Sequence, residues 1–281
     1  DATQCGNMPN YINNVSALSF VQQHGKITPA LNKSIQKIST GLRVPNAATD
    51  SAAMAIFKKL EAEDVSFQQA LRNTNDGVSM VQTAEGTLDS ASQLLTRMRE
   101  LSVQSSNGTY SQEDRDILNS EFNQLRDEFD RITGGAEFND VSLFDGTGGN
   151  VDIQVGGDAD PSNQIGIDLS NAMDSTNLGF AGASISSQAG ASSAVSDLDA
   201  ALDAINTRRS DLGATQNRLM SSYDNVSTYS ENLNATQSNL VDLDYALESS
   251  VNSQFLLRQK ALLAAQAQAK NISKSAMSLI S

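Results

Sequence analysis

Residues 197–248 read DLDAALDAINTRRSDLGATQNRLMSSYDNVSTYSENLNATQSNLVDLDYALE. Leu198, Ile205, Leu212, Leu219, Val226, Leu233, Leu240 and Leu247 recur every seven residues without a gap. An uninterrupted apolar heptad position predicts one long helix in a coiled coil or bundle. Helical composition runs from Ser193 to Ala269, and at ~1.5 Å per residue such a helix reaches about 115 Å. The second seam position is poor: Leu202, Arg209, Gln216, Tyr223, Ser230, Gln237 and Asp244. A stripe this narrow does not hold a helix alone in water, so it needs neighbours. They are either other segments of this chain or further copies of it.

The first half of the chain supplies matching surfaces. Leu31, Ile35, Ile38 and Leu42 are spaced as a short amphipathic helix, which Pro45 ends. Asp50 or Ser51 can cap a second helix carrying Ile56, Leu60, Phe67, Leu71, Val78, Val81, Leu88 and Leu95. Asn107-Gly108 closes it. Ser111 and Asp114 form a capping-box pattern, opening a helix with Leu118, Phe122, Leu125, Phe129 and Ile132. Gly134-Gly135 stops that helix. Gly25 and Pro29 fall inside the first helical pattern, where Pro29 either kinks the helix or marks its first turn.

The centre changes period. Eleven of the 18 glycines lie between Gly134 and Gly190. Val151 to Val155 and Ile165 to Leu169 alternate apolar and polar, which predicts two strands. Asp145-Gly146 and Gly156-Gly157 supply turns. Residues 170–195 are rich in Ser, Ala, Gly, Thr and Asn and read as surface loop. The fold class is therefore mainly α: a long antiparallel coiled coil or helical bundle from the N- and C-terminal segments, around a small β-rich centre. The expected division is an extension at 1–7, terminal helices at 8–45 and 250–281, a long-helix domain at 46–145 and 193–249, and a variable β/loop region at 146–192.

Composition narrows the function. Aromatic residues are 5% of the chain and Trp is absent, a poor supply for a dense enzyme core. The net charge of -14 argues against nucleic-acid binding. The charge is uneven: residues 1–50 hold four Lys/Arg and two acids, and 252–281 hold four Lys/Arg and no acid. A single histidine, His24, and a single cysteine, Cys5, exclude an intrachain disulfide, most zinc sites and His-dependent triads. No cofactor is expected. No run of about 18 apolar residues would span a membrane, and residues 1–30 lack the basic head and apolar block of a secretory signal. Cys5 reads as an inert thiol on a flexible end, with subunit crosslinking or modification the other reading. Acid pairs such as Asp242 and Asp244 read as solvated charges on a helix face.

Several stretches together resemble bacterial flagellin. They are ISTGLRVPNAATDSAAMAI (Ile38 to Ile56), RNTNDG (Arg72 to Gly77), QTAEGTL (Gln82 to Leu88), RMRELSVQ (Arg97 to Gln104), Glu137-Phe138-Asn139, LGATQNR (Leu212 to Arg218) and DLDYA (Asp242 to Ala246). The resemblance covers roughly 8–145 and 193–281, in the family's order and spacing. Met8 to Asn14 looks like the family's start with one residue missing, which leaves Asp1 to Asn7 as an extension the pattern does not foresee.

The resemblance implies a secreted, non-enzymatic subunit of a helical homopolymer. Terminal helices wall a central channel and the centre faces solvent. Leu31, Ile35, Ile38, Leu42, Leu219, Val226, Leu233, Leu240 and Leu247 are the expected subunit-packing residues. Implied partners are copies of the chain, an export chaperone and export apparatus, and the filament cap and hook–filament junction proteins. Arg97, Leu101 and Glu121 match positions the family uses to contact the vertebrate innate flagellin receptor. Ser175, Thr176, Ser184, Ser186, Ser187, Ser192 and Ser193 are candidate O-glycosylation sites in the expected exposed loop. The alternatives are a hook–filament junction protein, which shares the terminal helices, and a chemoreceptor-type signalling coiled coil. Arg97 to Gln104 and Leu212 to Arg218 favour flagellin over the first. The β-like centre and Pro45 count against the second. A metallopeptidase insert needs His-Glu-x-x-His, which is absent.

Overall fold

The computed structural model describes residues 15–280. Asp1 to Asn7, with Cys5, lie outside them. Helices α1 (Val15–Thr40), α2 (Ser51–Ser105) and α3 (Gln112–Gly134) precede short strands β1 (Glu137–Phe138) and β2 (Val141–Ser142). Strands β3 (Gly149–Gln154) and β4 (Gln164–Leu169) follow, then helices α4 (Gln188–Val241) and α5 (Tyr245–Ile280). The chain divides into two compact units: a terminal unit from residues up to 61 and from 235, and a central unit of residues 62–234.

The central unit holds the large core. From α2, Met80, Val81, Ala84, Leu88, Ala91, Leu95, Met98 and Leu101 recur at steps of three and four and are buried. Leu198, Ile205, Leu212 and Leu219, the heptad residues of α4, enter the same cluster. Helix α3 adds Phe122 and Phe129, and the Phe129 ring meets Phe180 edge-on at 5.2 Å. The capping box is formed: Ser111 accepts from the Asp114 backbone N–H, and Asp114 accepts from the Ser111 backbone. Asn139 and Asp140, at positive φ, make the tight turn that pairs Phe138 with Val141. Strands β3 and β4 form an antiparallel hairpin with Val151 opposite Ile167 and Ile153 opposite Ile165. Gly77 lets that hairpin approach α2, since a Cβ there would lie 3.1 Å from Ile153 Cγ1.

Two expectations change here. Residues 170–187 are irregular, yet Met173, Ser175, Phe180 and Ile185 are buried. Spaced apolar anchors in a Ser/Gly-rich segment give no periodic signal, so the segment reads as loop while closing the core. Ser192 and Ser193 lie in α4, which begins at Gln188.

The terminal unit rests on α1 packed against α5. The long C-terminal helix expected from 193 to 269 is two helices, broken at Asp242–Asp244. The break has visible causes. The Asp242 carboxylate accepts from Ser238 Oγ at 2.5 Å, and Asp244 Oδ1 accepts from the Leu247 N–H at 3.0 Å, capping α5. The two acids are exposed, as expected of solvated charges, but they mark a helix boundary rather than lying on a helix face. Across from them, Leu42 and Asp242 form an isolated antiparallel bridge. Arg43 N–H donates to Val241 C=O at 2.7 Å and Leu243 N–H to Gly41 C=O at 3.0 Å. Tyr245 Oη donates to Ile38 C=O at 3.0 Å. Helix α1 runs through Pro29, and Thr28 Oγ1 donates to His24 C=O one turn back.

Candidate subunit interface

A polymer needs apolar surface that the chain itself leaves uncovered. Leu219 is fully buried, and Val226 and Leu31 are 7% exposed, so their area is spent inside the chain. Ile38, Leu42, Leu233 and Leu240 are half-buried. Ile35 and Leu247 stand open at 50% and 65% exposure. Burial along the heptad position thus fades from Leu198 towards Leu247, and the expected packing residues split into an intrachain set and an open set. The terminal unit adds Leu256, Leu257 and Leu263 on α5 and Ile56 on α2, all exposed. Ile56 is among the apolar positions expected on the second helix, and Leu256 and Leu263 lie in the sparse apolar stripe expected of the C-terminal end; Leu257 was not singled out, although the stretch is Leu-rich and without acids.

Arg97 and Glu121 meet at 2.8 Å, with Glu100 a further acceptor at 3.1 Å. The guanidinium is held above its usual pKa, first by the hydrogen bond it donates to Glu121 and then by the one it donates to Glu100. Leu101 is not beside them on the surface: it is buried in the core. Arg99 pairs with Asp199 on α4 at 2.6 Å, which holds the Asp199 carboxyl below its ordinary value. Arg209 reaches Asp89 at 3.3 Å. The exposed face of the α2–α3–α4 bundle is thus laced by ion pairs.

Among the glycosylation candidates, Ser175 is buried, with its N–H and its hydroxyl both donating to Asp130 at 2.7 Å. Thr176, Ser184, Ser187, Ser192 and Ser193 are exposed, and Ser186 is half-buried. One polar device escaped the sequence reading. Asp64 on α2 is buried and accepts from Ser230 Oγ and Gln68 Nε2, both at 2.7 Å, and from Asn234 Nδ2 at 3.3 Å. Ser230 sits in the weak second seam position, and that polar interruption was the available signal. Among the described residues no cluster of His, Cys, Asp and Glu could hold a metal, and no helix is long and apolar enough to cross a membrane.

Comparison with known proteins decides the family. The bacterial flagellin N-terminal helical region matches residues 12–148 and the C-terminal helical region matches residues 195–280. The chain belongs to the bacterial flagellin family. A flagellin of Halalkalibacterium halodurans is 42% identical over 77% of this chain and 79% of its own length. A flagellar filament 30.7 kDa core protein of Treponema maltophilum is 34% identical over 92% of this chain and 96% of its own. A putative flagellar hook-associated protein from Vibrio parahaemolyticus, 17% identical, has the same fold with a TM-score of 0.58 over 69% of this chain and 100% of its own. The flagellin chain is accordingly a structural filament subunit, and the signalling coiled coil and junction protein are not favoured. Copies associate with one another, and the filaments of its relatives are extracellular.

Proposed function

We propose that the terminal unit is the assembly module of this subunit. The open apolar side chains Ile35, Leu247, Leu256, Leu257 and Leu263 carry the reading. A two-helix pair leaves such residues wet. Burial at ~25 cal/mol per Å² then falls short of an ordering cost of roughly 1–2 kcal/mol per residue. Neighbouring subunits supply the missing cover, so folding of the ends is coupled to assembly. In assembly terms residues 8–45 and 250–281 act together, 46–145 with 193–249 form the long-helix part, and 146–192 face outward. The chain leaves the cell through the flagellar export apparatus with an export chaperone, adds under the filament cap beyond the junction proteins, and has no enzymatic activity.

Limited trypsinolysis tests the module. Lys33, Lys37, Arg43, Arg258 and Lys260 should be cut rapidly in dilute monomer and protected in filament. A fragment of about 45–255 should no longer polymerise. Equal protection in monomer would show that the ends fold without partners. Two surface roles belong to the same proposal. Contact with the vertebrate innate receptor would use Arg97 and Glu121, with Leu101 shaping the surface from below, and an Arg97→Asp monomer should lose reporter signalling. O-glycans would sit on Thr176, Ser184, Ser186, Ser187, Ser192 or Ser193 and not on Ser175, and intact mass reports them.

A further inference from the structure

The central unit has nine arginines, no lysine and 27 acidic residues, a net charge of -18. Eight of the arginines have partners inside the chain. Arg97, Arg99, Arg131 and Arg209 pair with acids. Arg72 donates to Gln69, and Arg115, Arg126 and Arg208 donate to backbone carbonyls. Among the described residues of this unit, Arg218 is the one arginine with no hydrogen-bonded or ionic partner.

Arg218 lines a groove of about 890 Å³ between α4, α2 and the turn that joins β3 to β4. Arg218, Ser222, Asn225 and Tyr229 follow at steps of four, three and four, so they share one face of α4. Tyr229 is 63% exposed, and its ring lies 6.0 Å from that of Phe67. The acids of the groove are already engaged: Asp158 accepts from Asn163 Nδ2, and Glu63 has a partner of its own. The groove therefore offers an aromatic pair and a cation without a counter-charge. Its complement is an apolar side chain beside a free carboxylate.

The same unit carries that complement at its other end. Ile117 is its most exposed large apolar residue, at 67%. Glu113, one turn earlier on α3, is exposed and has no partner among the described residues. The Arg97–Glu121 pair and the Arg115 Nε hydrogen bond to Ser105 C=O set α3 antiparallel to α2, with Ile117 level with Leu101. Leu101 and Phe67 lie about 50 Å apart along α2 at ~1.5 Å per residue, too far for the two surfaces of one copy to meet. A second copy placed head to tail brings them together, and a contact between two different patches can repeat from copy to copy, as an open filament requires.

We propose that the groove of one copy receives the start of α3 from the next, with Glu113 against Arg218 and Ile117 against the Phe67–Tyr229 pair. The inference rests on the filament-subunit reading. Purified full-length monomer is added to fragments of parental filament, and elongation is followed by sedimentation. The parent must elongate; if it does not, the filament reading itself fails. Arg218→Glu and Glu113→Arg alone should each elongate at least tenfold more slowly than the parent, because each puts like charges face to face. Their equimolar mixture should elongate within about threefold of the parent, since alternating copies restore opposite charges at every contact. Both proteins are the same in the mixture and alone, so recovery cannot come from refolding. Single variants that elongate like the parent, or a mixture no faster than its components, would overturn the pairing.

Discussion

Phe122 and Leu247 are both large apolar residues at helical spacing, yet their expected responses to mutation are opposite. Phe122 is fully buried in the α2–α3–α4 core, and Phe122→Ala should cost about 3–5 kcal/mol in urea unfolding of the monomer. Leu247 is open to solvent, and Leu247→Ala should leave monomer unfolding nearly unchanged while raising the concentration needed for polymerisation. The Asp114 carboxyl gives a pH signature. Hydrogen bonds from the Ser111 hydroxyl and then the Ser111 backbone hold it below its ordinary 3.8. A lowered folded pKa contributes stability above the unfolded value and loses it as pH falls through the folded one. Acid titration by circular dichroism should show α3 fraying only below pH of about 4, and Asp114→Asn should flatten that dependence. The cap was readable because both partners lie three residues apart. The hydrogen-bonded trio of Asp64, Ser230 and Asn234 was not, since Asp64 is 166 residues from Ser230 in sequence and looks alone like ordinary helix surface.

At the scale of elements, every long helix and both principal strands were legible from apolar period and turn residues. The break between α4 and α5 was not. The heptad runs through it, and its cause is partly remote: the strand-like partner Gly41–Arg43 is about two hundred residues upstream in the sequence. The α5 cap at Asp244 was hidden for another reason, because an acid mid-heptad fits a solvated helix face equally well. Gly41 ties the two breaks together. Its φ is +72°, and an added Cβ would sit 3.3 Å from Tyr245 Oη. Gly41→Ala should destabilise the bridge by about 1–2 kcal/mol, the cost of a left-handed non-glycine residue. Faster hydrogen exchange at the Arg43 and Leu243 amides, with the central core unchanged, is the expected reading.

Across the whole molecule, charge is divided as sharply as structure. All eight lysines lie outside residues 62–234, where acids outnumber bases three to one. Like-charged central units repel at low salt, and the Debye length falls from about 10 Å at 0.1 M to about 3 Å at 1 M. Seeded polymerisation should therefore accelerate as salt rises, and an unchanged rate would show that this repulsion does not oppose assembly. The terminal ends and the acidic middle were plain in the sequence. The boundary at 61 and 235 was not, because α2 and α4 cross it without a change in helical pattern.

Asp64 and Asn234, hydrogen-bonded to each other, stand at the two points where the chain enters and leaves the central unit. The central unit is one continuous stretch, so it can form before either end does. Once it has formed, that side-chain hydrogen bond holds the roots of both terminal segments side by side. Two segments that begin about 170 residues from one another then meet as neighbours, at an effective concentration in the millimolar range that short tethers give. Most of the loop-closure entropy of the α1–α5 pair is thereby met in advance. The middle of this chain therefore acts on its ends before any contact with another copy, as a clasp that fixes which two strands of unordered polypeptide find each other first.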